Sequence, residues 1–165
     1  MRTAVYAGSF DPITNGHLWM IGEGSRLFDR LVVAIGENPE KRETFPLETR
    51  LTLLREVARP FRNVRVDSFA HRFLIDYAGS IGARYILRGI RNGADYAFES
   101  TMRNVNGDLN ARITTVFLFP PRELAEVSSS FVRGLVGPRG WKKVVRGYVP
   151  EPVFRALLES EGRRR

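Results

Sequence analysis

Short, nearly unbroken apolar runs alternate along the chain with longer stretches in which apolar residues recur every three or four positions. The runs are Arg2 to Ala7, Leu31 to Gly36, Asn63 to Phe69, Tyr85 to Arg88 and Ile113 to Phe119. Apolar and β-branched runs of this length predict strands buried on both faces. The periodic stretches, His17 to Phe28, Leu47 to Ala58, Phe73 to Ile81 and Ala94 to Leu109, predict helices, and Leu47, Leu51, Leu54 and Ala58 share one face of the second. The order is βαβαβαβαβ. Strands joined by helix-length connections pair in parallel through right-handed crossovers, so the expected fold is a Rossmann-like, doubly wound α/β sheet of five parallel strands. Ligands of such sheets sit at the carboxyl ends of the strands, near the point where the strand order reverses. From Glu123 onward the pattern breaks into short helices punctuated by Gly134, Gly137, Pro138, Gly140 and Pro150, and a last helix is expected near Glu151 to Glu159. Neither a repeat nor a linker interrupts this pattern, and residues 1–165 read as a single domain.

Composition narrows the chemistry. Hydrophobic residues make up 43% of the chain and charged residues 27%, a balance that supports a packed core. The absence of Cys excludes disulfides, zinc-thiolate sites, iron-sulfur clusters and cysteine nucleophiles. The apolar runs fall far short of the roughly 20 residues that cross a bilayer, and the first residues form no signal peptide, so a cytoplasmic protein without membrane contact is expected. The net charge of +8 favours anionic partners, whether nucleic acids, nucleotides or phosphorylated metabolites, although Arg163, Arg164 and Arg165 supply part of it. A nucleic-acid surface would interleave aromatic residues with a basic face, and no such stretch is present.

Three segments carry the candidate chemistry. Gly8-Ser9-Phe10-Asp11-Pro12-Ile13-Thr14-Asn15-Gly16-His17 joins the first strand to a helix expected to begin near His17. Gly8 permits close approach of the backbone, Ser9 offers a hydroxyl, and the helix start presents unpaired N–H groups to an anion. Arg88-Gly89-Ile90-Arg91 follows the fourth strand, with two guanidinium forks suited to phosphate oxygens. Val127-Ser128-Ser129-Ser130-Phe131-Val132-Arg133 follows the fifth, where serines cap a helix and leave donors for an anion. Taken singly, the last two are ordinary turns. All three fall on the same edge of the predicted sheet. No P-loop pattern is present, and Gly22-Glu23-Gly24 lies inside a predicted helix without the third glycine of a dinucleotide fingerprint.

Thr14-Asn15-Gly16-His17 resembles the T/HxGH signature of the nucleotidyltransferase superfamily. Over most of its length the chain resembles the bacterial phosphopantetheine adenylyltransferases, whose G-[TS]-F-D-P-x-T-x-G-H, R-G-[LI]-R and S-S-[ST] motifs match Gly8 to His17, Arg88 to Arg91 and Ser128 to Ser130. The resemblance implies transfer of the adenylyl group of ATP to 4'-phosphopantetheine, giving dephospho-coenzyme A and pyrophosphate. It implies ATP contacts from Ser9, Phe10, His17, Gly89, Ile90, Arg91, Glu99 and the stretch Leu124, Ala125, Glu126, Val127, Ser128, Ser129 and Ser130. Acceptor contacts are implied for Ser9, Lys41, Leu74 and Arg88, with His17, Lys41 and Arg91 acting on the reacting phosphates. Magnesium is expected on the ATP oxygens, with no protein ligands assigned, and a homohexamer is implied as the assembly.

The chain departs from the family on the acceptor side, at His71-Arg72-Phe73 and along Ser100-Thr101-Met102-Arg103-Asn104. Phe73, Leu74 and Met102 are suited to line an apolar groove for pantetheine. Arg72 would find no charge on that neutral tail, so it must point to solvent if 4'-phosphopantetheine is the acceptor. Two alternatives stay open: a divergent adenylyl- or cytidylyltransferase acting on another phosphorylated metabolite, and a noncatalytic nucleotide-binding protein.

Overall fold

Residues 1–37 and 43–163 are described in the computed structural model. Thr3–Gly8 (β1) lies at the middle of the sheet because its side chains can be covered from both sides: Ala4 and Tyr6 enter one core, Val5 and Ala7 the other. Arg30–Gly36 (β2), Val64–Phe69 (β3), Tyr85–Gly89 (β4) and Thr114–Leu118 (β5) complete it. All pair in parallel, in the order β3-β2-β1-β4-β5. The order reverses between β1 and β4, which places the expected ligand site at their carboxyl ends.

Asn15–Leu27 (α1) and Leu47–Ala58 (α2) cover the first face, where Met20, Ile21, Leu51 and Leu54 meet Ala4, Leu31 and Val33. Leu74–Ser80 (α3) covers the second with Ile75, Tyr77 and Ala78 against Val5, Val32 and Ile86. Gly93–Leu109 (α4) joins β4 to β5 but buries only Glu99 and Asn106. Ser129–Leu135 (α5), Trp141–Val145 (α6) and Glu151–Arg163 (α7) return to the first face, adding Val132, Trp141, Val145, Phe154 and Leu157 to its core. They also brace the site: Asn15 donates through its backbone N–H to the Tyr148 carbonyl at 2.9 Å and through its side chain to the Gly147 carbonyl at 3.0 Å.

The expected elements are present with small shifts at their ends. α1 begins at Asn15 instead of His17 because Thr14 is its N-cap and His17 already lies in the first turn. α7 runs on to Arg163, past the expected Glu159.

Candidate active site

A cleft of about 280 Å³ opens at the carboxyl ends of β1 and β4 and gathers all three motif segments. Gly8, Ser9, Gly16 and His17 form one wall, Arg88, Gly89, Arg91 and Glu99 a second, and Leu124 with Val127 to Ser130 the third. Tyr6, Met20, Asp95 and Arg133 also line it; Arg133 ends the third candidate segment, whereas Tyr6 and Met20 did not stand out from the sequence.

The T-x-G-H spacing has a local physical cause. Thr14 caps α1 by accepting the His17 N–H at 3.4 Å, and the His17 side chain reaches back so that Nδ1 accepts the Thr14 N–H at 3.0 Å. This is a capping box in which His takes the place usually held by Glu or Gln. Gly16 suits the position between them because a Cβ there would stand 3.2 Å from the Val127 carbonyl oxygen, so that the third wall would have to give by a few tenths of an ångström where it crosses the helix start. Phe10 supports the imidazole edge-on, with ring centroids 5.0 Å apart.

That hydrogen bond assigns the tautomer. Nδ1 accepts, so the proton of a neutral ring sits on Nε2. Burial, reinforced by the Arg91 charge, lowers the His17 pKa to about 4, so the ring is neutral at pH 7. His17 therefore brings a neutral N–H donor to the cleft rather than a charge or a proton to be exchanged.

The arginines are each held by a carboxylate. Glu99 accepts from Arg88 Nε at 2.8 Å and from Nη2, while Arg88 Nη1 donates to the Ala7 carbonyl at 2.8 Å. Burial works against the Arg88 charge, but Glu99 more than offsets it and the pKa lies above its ordinary value. Asp95 accepts from Arg91 Nε at 2.8 Å and Nη2 at 3.1 Å, and Arg91 holds the Asp95 carboxyl below the usual range although burial alone would raise it. Each fork thus has a fixed direction and keeps N–H groups for a phosphate. Burial raises the Tyr6 phenol well above its ordinary pKa, so it too stays neutral.

The serines divide their work. Ser128 caps α5 by accepting the Phe131 N–H at 3.1 Å, Ser129 donates to the Pro12 carbonyl at 2.8 Å, and Ser130 accepts from Arg133 Nη2 at 2.9 Å. Ser129 and Arg133, which also donates to the Asp11 carbonyl, dock the third wall on the first.

Other expected site residues lie elsewhere. Phe10 and Ile90 are buried beneath the walls, at 1% and 2% exposure. Ala125, Glu126 and Leu74 are outside the lining, with Leu74 packed against the second core. Lys41 lies outside the described residues. Arg72 turns away from the cleft: its guanidinium sits 4.9 Å from the Tyr77 ring centroid and Nη1 donates to Ser80 Oγ at 3.3 Å.

Residues 5–135, which hold the sheet and most of the cleft, match the cytidylyltransferase-like family, and the class of protein is a nucleotidyltransferase. The chain is 60% identical over 158 residues to a phosphopantetheine adenylyltransferase of Chromobacterium violaceum, covering 96% of each. It is 53% identical over 157 residues to one of Neisseria meningitidis serogroup C, covering 95% of this chain and 92% of the relative. The chain belongs to the phosphopantetheine adenylyltransferase family. A nicotinic acid mononucleotide adenylyltransferase of Plasmodium falciparum, solved in complex with NaAD, shares the fold at a TM-score of 0.73 and 13% identity, with 96% of this chain and 95% of that chain covered.

Proposed function

We propose that the protein transfers the adenylyl group of ATP to the phosphate of 4'-phosphopantetheine, releasing pyrophosphate and forming dephospho-coenzyme A. The observation that carries this reading is the convergence of Arg88, Arg91 and a neutral His17 on one cleft at the β1–β4 switch point. Family membership selects the donor and acceptor.

An oxygen of the acceptor phosphate attacks the α-phosphorus. One P–O bond forms, the bond to the bridging α–β oxygen breaks, and pyrophosphate leaves with that electron pair. The acceptor is already an anion, so no protein nucleophile or base is needed; catalysis consists of placing two anions in line and stabilising charge as it shifts. His17 donates Nε2–H to an oxygen of the transferred phosphoryl. Arg88, steadied by Glu99, takes the acceptor phosphate. Arg91 with Ser129 and Ser130 takes the departing pyrophosphate.

The proposed reaction takes Mg²⁺ as a companion of the nucleotide, not as an ion held by the protein. Both carboxylates of the cleft, Asp95 and Glu99, are engaged by arginines, and among the described residues no three His, Asp or Glu side chains cluster as a cation cage. Phosphate oxygens and water would hold the ion, which typically takes few protein ligands beside a nucleotide, and it would supply further charge neutralisation.

The assembly we propose is a homohexamer. The number of subunits comes from the family resemblance; what the chain itself offers in support is an interface, the bare face of α4, where Phe98, Val105 and Leu109, at 61%, 41% and 53% exposure, follow helical spacing with Met102. No helix among the described residues is long and apolar enough to cross a membrane, and a cytoplasmic setting accords with ATP as donor. Pyrophosphate release from ATP or CTP, measured against a panel of phosphomonoesters, tests the reaction: ATP with 4'-phosphopantetheine is expected to give the highest kcat/KM.

A further inference from the structure

Phe10 adopts a φ of 47°, a left-handed conformation that a bulky residue takes only where its surroundings impose it. Buried polar groups grip the chain on either side of it. Arg50, on α2 and only 2% exposed, donates through Nη1 to the Ser9 carbonyl at 2.9 Å. The same guanidinium donates through Nε to the Phe45 carbonyl at 3.0 Å and through Nη2 to Glu43. Beyond Phe10, the buried Asp11 carboxylate accepts the N–H groups of Thr44 at 2.7 Å and Phe45 at 3.0 Å. Arg50 and Asp11 thus fasten the turn that carries Ser9 to the stretch Glu43 to Phe45. Neither lines the cleft.

A guanidinium buried to this degree is tolerated because its three nitrogens all find acceptors. An apolar side chain of similar length would fill the space without desolvating a charge. It would not hold a carbonyl. The carbonyl of Ser9 and the N–H of Phe10 point in opposite directions across one planar peptide, so anchoring the first aims the second and fixes the backbone from which the Ser9 hydroxyl projects. We infer that Arg50 is a positioning residue for adenylyl transfer, holding the Ser9–Phe10 peptide in the turn that presents Ser9 to the reacting phosphates. The inference rests on the proposed transfer reaction, and Arg50 touches no reacting atom itself.

Arg50→Lys and Arg50→Met test it in the full chain, assayed at a temperature where thermal melts show each variant fully folded. Both are expected to lose on the order of 10- to 100-fold in kcat while KM for ATP changes less than about threefold, because a misplaced turn costs reactive geometry more than binding. Folded variants with kcat within about twofold of wild type would overturn the inference, whatever their melting temperatures. If neither variant melts cooperatively, Glu43→Ala decides, since it removes the acceptor that aims the Arg50 guanidinium at the Ser9 carbonyl and so loosens that hold without deleting a core side chain. There kcat is expected to fall about threefold or more, and unchanged turnover would sink the proposal. Wild-type turnover with 4'-phosphopantetheine checks the reaction itself; the ratio of variant to wild type, taken with whichever phosphomonoester the wild type uses, checks Arg50.

Discussion

The backbone N–H of Thr14 donates to Nδ1 of His17 at 3.0 Å, and this one contact makes the histidine both the closing half of the α1 capping box and a neutral donor at the cleft. The two roles separate on substitution. His17→Gln keeps a side-chain oxygen for the Thr14 N–H and an amide N–H for the phosphate, whereas His17→Ala keeps neither. Alanine is expected to cost about 1 kcal/mol of stability through the cap and on the order of 100-fold or more in kcat through the lost transition-state donor. Glutamine should retain the stability and part of the turnover. Thermal melts and steady-state kinetics on both variants check this, and equal kcat in wild type and alanine variant would remove His17 from the mechanism.

The same ring gives stability a defined pH dependence. His17 titrates near pH 4 in the folded chain against 6.5 for an ordinary histidine. Between those values the unfolded chain binds a proton at this position that the folded chain refuses, so stability falls as the pH drops from about 6.5 to about 4 and is unaffected above that window. The His17 share of the loss across that window is on the order of 3 kcal/mol. Denaturant melts at pH 7 and pH 4.5 should show wild type losing more stability than His17→Gln, and the kcat profile should carry no rising limb near pH 6.5. Identical losses in the two proteins would mean that the ring is charged in the fold.

The strands and helices were legible because both faces of the sheet are covered, which leaves nearly unbroken apolar runs such as Leu31 to Ile35 between periodic helices. The three cleft-lining segments were legible because parallel topology sends the carboxyl end of every strand to the same edge. What stayed hidden were partnerships between distant positions. Nothing in the sequence pairs Arg50 with the Ser9 carbonyl, 41 residues away, or directs Ser129 to Pro12, 117 residues away. Asp95 is different: it stands four residues after Arg91 at a helix start, a spacing that marks an ion pair and offered a signal.

Arg88 and Arg91 should differ in the ligand that suffers when each is lost. Arg88→Ala is expected to weaken the acceptor and Arg91→Ala the nucleotide or pyrophosphate, as separate calorimetric titrations would read. Because Glu99 grips Arg88 through both oxygens, Glu99→Gln should reproduce the Arg88 pattern, raising KM for the acceptor more than KM for ATP. A Glu99→Gln defect confined to ATP would instead make Glu99 a direct nucleotide contact.

The apolar stripe on α4 predicts the fate of the assembly. Phe98→Glu or Val105→Glu changes side chains that are exposed in the single chain and lie outside the cleft lining. Light scattering is expected to show wild type as a hexamer and these variants as smaller species, each still folded by circular dichroism. A wild type that stays monomeric at all concentrations would reject the assembly, and hexameric variants would move the interface off α4.

Arg72 was the residue that most threatened the choice of acceptor, because a cation beside a pantetheine groove would have nothing to pair with. Its guanidinium instead lies over the Tyr77 ring and donates to Ser80 at the far end of α3, with no part in the cleft lining. A cation held there over an aromatic face costs little and reads no ligand charge. Arg72→Ala is therefore expected to leave KM for 4'-phosphopantetheine and kcat within about twofold of wild type, with at most about 1 kcal/mol of stability lost from the ring contact. Comparing kcat/KM across phosphomonoesters with neutral and anionic tails, for wild type and variant, checks both the residue and the acceptor. A wild type that prefers an anionic-tailed acceptor, and loses that preference in Arg72→Ala, would reassign the chain's substrate within the same chemistry.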